Sequence, residues 1–221
     1  MASNFGKTIQ VATFGASHGY AIGGIVEGLP CGHTIDIDEL QAFLKRRAPG
    51  QNQLQTQRKE ADIPEFLSGM VDGMLSGSPL AFMIRNTSQH SGDYNNLRDI
   101  PRPSHADFTA RMRYGDKVDM RGGGHFSARL TAPLCVAGGI ALQLLREKGI
   151  EIHGHLKQVG SIQDAPIDMV HPDMQALAHI ATKPIAMVDA NKRTEVENLV
   201  MQLKKDGDST GGIVEVVATG L

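Results

Sequence analysis

Two histidines near a run of three glycines are the side chains of this sequence best suited to chemistry on an anionic ligand. Residues 98–131 contain His105, after the letters PRPS, and His125, directly after three glycines at 122–124. This stretch has seven basic and four acidic side chains, in a chain of formal net charge −2. Consecutive glycines can adopt positive φ and expose backbone amides to a ligand, as phosphate-binding loops do. The pattern predicts a site for an anionic, phosphorylated ligand.

A third histidine stands at the tip of a predicted turn. The letters GASHG at residues 15–19 follow one predicted strand and precede another, so Ser17 and His18 are presented together. Such a corner suits catalysis or ligand binding, but a turn histidine that simply faces solvent has the same local sequence. Glycine runs are likewise often plain turns, and arginines are often solvated surface residues, so both interpretations remain open at this level.

A second positive patch follows the first predicted helix. The helix ends in Lys45, Arg46 and Arg47, and Arg58 and Lys59 follow within a polar loop. Cations at a helix C-terminus are also favoured by the helix dipole, which gives a structural explanation for the first three. The loop is too polar for a core and could fold over an anionic ligand.

Composition excludes several classes of protein. The 221 residues allow one large domain or two small ones, and 41% hydrophobic with 21% charged residues is typical of a soluble globular chain. A pI near 6.5 and the absence of Trp argue against a nucleic-acid binder. No apolar run approaches the roughly 20 residues of a membrane span, and the N-terminus does not resemble a signal peptide. We expect no membrane association.

The sequence offers little support for a metal site or a generic nucleotide-binding motif. Cys31 and Cys135 are too few for a disulfide framework, and a cytoplasmic location is expected. His153 and His155 share one face of a predicted strand, but no cysteine or carboxylate cluster accompanies them, so we predict no metal. The nucleotide motifs GxxxxGK[ST] and strand-placed GxGxxG are both absent.

Periodicity and capping signals predict an α+β fold without repeats or linkers. The predicted strands cover residues 7–14, 24–29, 65–74, 79–86, 150–158 and 212–218. The predicted helices cover residues 36–48, 104–114, 131–148, 172–180 and 194–205. Ser104 and Asp107 have the spacing of a capping box, which would place His105 in the first turn of its helix.

Four ordered motifs, together with the rest of the chain, resemble the chorismate synthase family. They are GASHG at 15–19 with GLP at 28–30, RPSHAD at 102–107, RGGG at 121–124 with SAR at 127–129, and KKDGDSTGG at 204–212. The resemblance covers essentially the whole chain. It implies a β-α-β layered sandwich and a single domain over residues 1–221.

The resemblance also implies a reaction. Members convert 5-enolpyruvylshikimate 3-phosphate to chorismate and phosphate by a trans-1,4 elimination, the last common step of the shikimate pathway to aromatic amino acids. They are lyases that need reduced FMN although no net redox change occurs, and some use NADPH to reduce it. A cytoplasmic homotetramer is the expected form.

Roles for individual residues follow from the matched motifs. His18 would be the acid that assists the leaving phosphate, and His105 would protonate or polarise the reduced flavin. The FMN contacts would be made by His125, Phe126 and Ser127. Substrate anions would be bound by Arg47, Arg102 and Arg129, with Arg47 also at the NADPH site.

Members of this family are usually much longer than 221 residues. We therefore expect the chain to be an N-terminal portion or a shortened form, incomplete at its C-terminus. The alternative to chorismate synthase activity is a catalytically inactive fragment that at most binds a phosphorylated ligand or partner chains.

Overall fold

The structure is a computed structural model that describes residues 3–50, 60–87 and 100–221. The predicted contributions of Arg58 and Lys59 to a positive patch, and of residues 98–99 to the basic stretch, lie outside these ranges. The chain divides into two compact units, one of Met1–Gly50 with Gln57–Gln143 and one of Gln51–Thr56 with Leu144–Leu221. Helices and sheets occur in both, which confirms the α+β fold. A single domain over residues 1–221 remains a prediction.

The first unit is built on a five-stranded antiparallel sheet of order β1-β2-β3-β7-β4. Its strands are β1 (Asn4–Gly6), β2 (Gln10–Gly15), β3 (Ala21–Glu27), β4 (Glu65–Ser68) and β7 (Leu80–Arg85). Ile22, Phe82 and Ile84 are at most 1% exposed, so alternate positions of β3 and β7 supply the core. The turn between β2 and β3 carries His18.

One strand prediction was wrong. Residues 65–74 form not one strand but β4 followed by the hairpin strand β5 (Met70–Val71), which pairs with β6 (Met74–Leu75). Asp72 and Gly73 lie between them with φ of 49° and 79°, a left-handed conformation that turns the chain back. The period-2 pattern continues through the turn, and for that reason the sequence reads as one long strand.

Two helices of the first unit pack against each other and bring distant residues to one end. The helix α1 (Ile37–Arg47) is capped by Asp36, whose side chain accepts from the Glu39 N–H at 2.9 Å. The helix α3 (Thr131–Arg146) meets it at Gly139, where a Cβ would lie 2.5 Å from Leu40. The Gln143 amide also hydrogen-bonds both backbone groups of Asp36 at 2.9 Å. The helices therefore run antiparallel, and the end of α1 lies beside the start of α3.

The short helix α2 (Asp107–Tyr114) corrects the predicted capping box. Ser104 has φ of 59°, and the N-cap residue Ala106 makes no side-chain cap. The Asp107 carboxylate instead turns back to Arg102 and His105. His105 thus lies in the turn before the helix rather than in its first turn.

The stretch Arg121–Arg146 is, among the described residues, one helical segment long and apolar enough to cross a membrane, and half of its apolar window is buried. It comprises two 3₁₀ turns, Arg121–Phe126 and Ala128–Leu130, followed by α3. Val136 and Ile140 are fully buried in α3. A buried core helix gives the same signal, so this is weak evidence for a membrane span.

The second unit has a three-stranded antiparallel sheet of order β10-β8-β9, with strands β8 (Glu151–Val159), β9 (Ile162–Gln163) and β10 (Gly212–Thr219). The helices α4 (Met174–Ile180) and α5 (Ala190–Asp206) complete it. Met187 and Val196 form one small core with Val159 and Ile185, and Leu177 forms another with Ile180 and Val217. The elements β8, β10 and α4 were predicted to within two residues, α5 begins four residues earlier than predicted, and β9 was not predicted.

Candidate functional site

Two histidines from different motifs lie against the glycine loop (residues 122–124). The Ser17 N–H donates to the Gly124 carbonyl at 3.0 Å, which joins the β2–β3 turn to the loop. A Cβ at Gly122 would overlap the His18 ring, and a Cβ at Gly123 would lie 3.0 Å from His105 Nε2. The three glycines have φ of 59°, 86° and 55°, as their predicted positive-φ role requires. The missing side chains are what allow both imidazoles to reach the loop.

His105 is held by a buried carboxylate. Asp107, which is 2% exposed, accepts from His105 Nδ1 at 2.6 Å. The same carboxylate accepts from Arg102 three times, from Nε at 2.8 Å, from Nη2 at 2.9 Å and from the backbone N–H at 3.0 Å. The Arg102 hydrogen bonds hold the pKa of Asp107 well below its usual range, so this carboxylate stays ionised.

An ionised Asp107 determines which nitrogen of His105 faces the loop. Because the carboxylate can only accept, Nδ1 of His105 must donate to it. This leaves Nε2 directed at Gly123, where it can accept or donate a proton depending on the protonation state of the ring. A carboxylate that accepts from one ring nitrogen and fixes the orientation of the imidazole is common at catalytic histidines. Asp107 has this position relative to His105.

Arg47 and Arg129 meet at a second buried carboxylate. Asp62, 1% exposed, accepts from Arg129 through one oxygen and from Arg47 through the other. Arg47 also donates from Nε to the Thr131 hydroxyl at 3.2 Å. The packing of α1 on α3 brings these two arginines together, although 82 residues separate them. No motif or spacing in the sequence indicates that they share a partner.

Arg129 connects this pair to the turn that carries His18. Its Nε donates to Asn86 Oδ1 at 3.1 Å, and the Asn86 amide donates to the carbonyls of Ala16 and Gly19 at 3.1 and 2.8 Å. Glu60 Oε2 lies 3.9 Å from Arg129 Nη2 and accepts from Thr87 N–H at 3.1 Å. The hydrogen-bond chain makes the His18 turn and the arginine pair one structural unit.

The three residues after the glycine loop, His125, Phe126 and Ser127, contact other parts of the first unit. His125 Nδ1 donates to the Gly15 carbonyl at 2.9 Å, and its Nε2 lies 2.5 Å from the Ser3 hydroxyl. Phe126 is 37% exposed and its ring lies 6.1 Å from that of Tyr114. Ser127 accepts from the Arg129 N–H at 3.3 Å and begins the second 3₁₀ turn. Phe126 thus offers exposed apolar surface beside the loop.

Three arginines of the basic stretch are paired with carboxylates within the protein. Arg102 lies on Asp107, Arg129 on Asp62, and Arg121 on Asp119 with Nη2 to Oδ2 at 2.8 Å. The Arg121 hydrogen bond, with a smaller contribution from the charge of His18, lowers the pKa of Asp119. These three arginines of the basic stretch are therefore held in ion pairs within the protein.

Four residues of the site were missed by sequence reasoning, namely Glu60, Asp62, Asn86 and Asp107. The spacing from Ser104 predicts Asp107 as part of a capping box, although its place two residues after His105 is also a usable signal. Glu60 ends the predicted polar loop, Asn86 ends a predicted strand, and Asp62 lies in neither. Their partners lie 15 to 70 positions away in the sequence.

The histidines of β8 lie apart from this site in sequence and belong to the second unit. His155 is 2% exposed, with Nε2 3.1 Å from Glu215 and Nδ1 3.4 Å from Asp164. Lys157 and His155 together lower the pKa of Glu215. Within the described ranges no group of three or more His, Cys, Asp or Glu side chains could hold a metal ion.

Comparison with known proteins identifies the family. A profile of the family described as Chorismate synthase matches residues 9–221. The chain is 42% identical, over its full length, to the chorismate synthase of Lancefieldella parvula, of which it covers 61%. It is 44% identical over 99% of its length to that of Ralstonia pickettii, of which it covers 58%. It is 43% identical over its whole length to the chorismate synthase of Bacteroides thetaiotaomicron, of which it covers 60%.

A solved structure described as Crystal Structure of Chorismate Synthase matches with a TM-score of 0.73 at 25% identity, covering 96% of this chain and 58% of that one. The chain thus spans about 60% of the length of the curated relatives that it matches. The profile match over nearly all residues, on the fold and motifs described above, shows that the chain belongs to the chorismate synthase family.

Proposed function

We propose that the protein acts in the chorismate synthase reaction, in which 5-enolpyruvylshikimate 3-phosphate loses phosphate and a ring proton by trans-1,4 elimination to give chorismate. The C–O bond to phosphate breaks, the phosphate leaves with the bonding electrons, and a C–H bond supplies the electrons of the new double bond. The observation that carries the proposal is the placement of His18 and His105 against one glycine loop.

His18 would hold the proton that the leaving phosphate needs. His18 is 7% exposed and its ring lies against Gly122, so water has little access to the imidazole. A general acid of this kind contributes roughly 10²–10⁴-fold to a rate. The Asn86 contacts to the carbonyls of Ala16 and Gly19 keep the turn rigid on both sides of His18. A rigid turn favours a fixed position for that proton.

The residues after the loop are suited to a flavin phosphate and ring. The backbone of the glycine loop lies directly against His18 and His105, and the chain offers polar and aromatic groups beside the loop in His125, Phe126 and Ser127. We propose that these residues hold reduced FMN, with Nε2 of His105 available to a polar edge of the ring system. When bound, the reduced flavin would supply an electron transiently as phosphate leaves, without net oxidation.

Arginines would bind the anionic groups of the substrate, which has a phosphate and two carboxylates. Each guanidinium has five N–H donors. Asp62 and Thr131 engage only part of those of Arg47, and Asp62 and Asn86 only part of those of Arg129, so both arginines retain donors for a ligand. The proposed role of Arg102, which holds Asp107, follows from its motif. We also propose Arg47 as the contact for NADPH, if that cofactor is the reductant.

The form of the protein that we propose is a cytoplasmic homotetramer that binds neither nucleic acid nor membrane. Exposed apolar residues on the edge strand β10 support self-association, because Val214 and Val216 are 65% and 60% exposed. Light scattering of the purified protein tests the oligomeric state, and a mass equal to that of one chain would contradict it.

An anaerobic assay tests the reaction. Purified protein is mixed with 5-enolpyruvylshikimate 3-phosphate and chemically reduced FMN, and phosphate and chorismate are both measured. The proposal expects equal amounts of the two products, none with oxidised FMN, and a rate lowered by about 10²–10⁴ in His18→Ala. His171→Ala, an exposed histidine in the second unit, is the matched control and should behave as the parent. Substrate binding without phosphate release would support the non-catalytic alternative instead.

A further inference from the structure

Asp62 is a buried carboxylate that lies outside the quoted motifs. Its φ of 51° belongs to a region that non-glycine residues seldom adopt, although aspartate tolerates it better than most. Such a conformation persists when its surroundings determine it. Here the surroundings are Arg47 and Arg129, one on each carboxylate oxygen. The unusual backbone places a single negative charge between two guanidiniums.

The charges around Asp62 cancel. Arg47 and Arg129 contribute two positive charges, and Asp62 with Glu60 contributes two negative ones, Glu60 lying 3.9 Å from Arg129. Both acidic side chains are at most 1% exposed, so solvent screens this cluster only weakly. Without Asp62 the described side chains of the cluster would have a net charge of +1. Any small dianion would then be attracted regardless of its shape.

A neutral cluster with spare N–H donors selects a ligand by geometry. Arg47 keeps 21% of its side-chain surface exposed, so an anion can approach it. Its planar donors favour a ligand whose oxygens match their directions. A carboxylate that holds two guanidiniums therefore weakens the attraction for anions in general. It also makes binding depend on whether the oxygens of the ligand match the directions of the N–H donors.

We propose that Asp62 is a specificity-determining and positioning residue, which makes the arginine pair discriminate the phosphorylated substrate from inorganic phosphate. The proposal rests on the proposed function, since it takes Arg47 and Arg129 as substrate contacts. Inorganic phosphate is also a product of that reaction, so weak attraction for it favours release. A purely structural role for Asp62 would weaken the binding of both anions when it is lost. The proposed role predicts instead that loss of Asp62 strengthens the binding of inorganic phosphate and weakens that of the substrate.

The test is Asp62→Asn, which preserves side-chain size and the tolerance for positive φ while removing the charge. Calorimetry with inorganic phosphate should show a Kd at least about fivefold lower than in the parent, since one unit charge about 4 Å away has this effect even in bulk water. The value of kcat/KM for the substrate should fall at least about tenfold, chiefly through KM. Glu195→Gln, which removes the exposed carboxylate partner of Lys192 in the second unit, should leave the phosphate Kd unchanged. Unchanged or weaker phosphate binding in Asp62→Asn overturns the proposal.

A second pair of variants tests the proposal if Asp62→Asn does not fold. Arg47→Met leaves a net charge of −1 in the cluster, and Arg47→Met with Asp62→Asn restores neutrality. The double variant should bind inorganic phosphate about fivefold more tightly than Arg47→Met alone, and equal or weaker binding overturns the proposal. The phosphate measurements need no turnover. An inactive parent protein would therefore count against the proposed function while leaving the role of Asp62 to be decided by these measurements.

Discussion

The ion pair between Arg102 and Asp107 should stabilise the protein much more than a pair of the same geometry at the surface. Asp107 accepts three hydrogen bonds from Arg102 and its side chain is 3% exposed. Asp119 accepts the same three types of bond from Arg121, at 3.1, 2.9 and 2.8 Å, but is 39% exposed. The chain thus contains its own matched control for burial.

Asp107→Asn should lower the free energy of unfolding by about 3 kcal/mol, because it leaves the Arg102 and His105 donors facing an amide in a buried setting. For a chain of this size that corresponds to a Tm lower by about 6–12 °C. A double-mutant cycle with Arg102→Gln, measured by urea unfolding, should give a coupling of about 2 kcal/mol. The cycle for Asp119 and Arg121 should give about 0.2–1 kcal/mol. Equal couplings would refute the argument from burial.

The same pair gives a pH dependence with a definite sign. The folded-state pKa of Asp107 lies below its unfolded value, so its contribution to stability is complete above the unfolded pKa of about 3.9. The contribution is lost as the pH falls from there toward the folded pKa. The stability difference between the parent and Asp107→Asn should therefore shrink as the pH falls below about 4. A difference that grows below pH 4 would contradict this assignment.

Three further predictions concern the glycine loop and its neighbours. His105→Ala should lower turnover by about 10²–10⁴ with little change in circular dichroism, and turnover within threefold of the parent would remove His105 from the mechanism. Gly123→Ala should weaken FMN binding measured by flavin fluorescence, because its Cβ would lie 3.0 Å from His105 Nε2. Gly115→Ala is its control, having φ of 79° and open space around the Cβ, and should leave FMN binding unchanged. Arg129→Ala should weaken substrate binding by about 1.5–3 kcal/mol, and an unchanged Kd by calorimetry would make this arginine purely structural.

Local interactions explain what could be predicted. The helix α1 was correctly placed because its signals lie within a few residues of one another, with Asp36 as cap, Leu40 and Leu44 as buried positions and basic residues at the end. The glycine loop was equally predictable, since only glycine adopts positive φ freely at three consecutive positions. The ordered motifs also identified the family before any coordinate was known. Each of these conclusions depends on residue type and short spacing alone.

The partners of the charged side chains were decided only by the tertiary structure. Asp62 and Arg129 are 67 positions apart, and the antiparallel packing of α1 on α3 together with the pairing of β4 and β7 brings them within contact. Ser104 likewise has the type and spacing of a helix cap, yet its φ of 59° turns the chain so that Asp107 faces Arg102 instead. Sequence spacing predicts which groups can ionise or cap, but the energy of a buried charge depends on which opposite charge the fold places beside it. For that reason residue type and motif order indicated the histidines and arginines of the candidate site, whereas their partners Asp62 and Glu60 followed only from the fold.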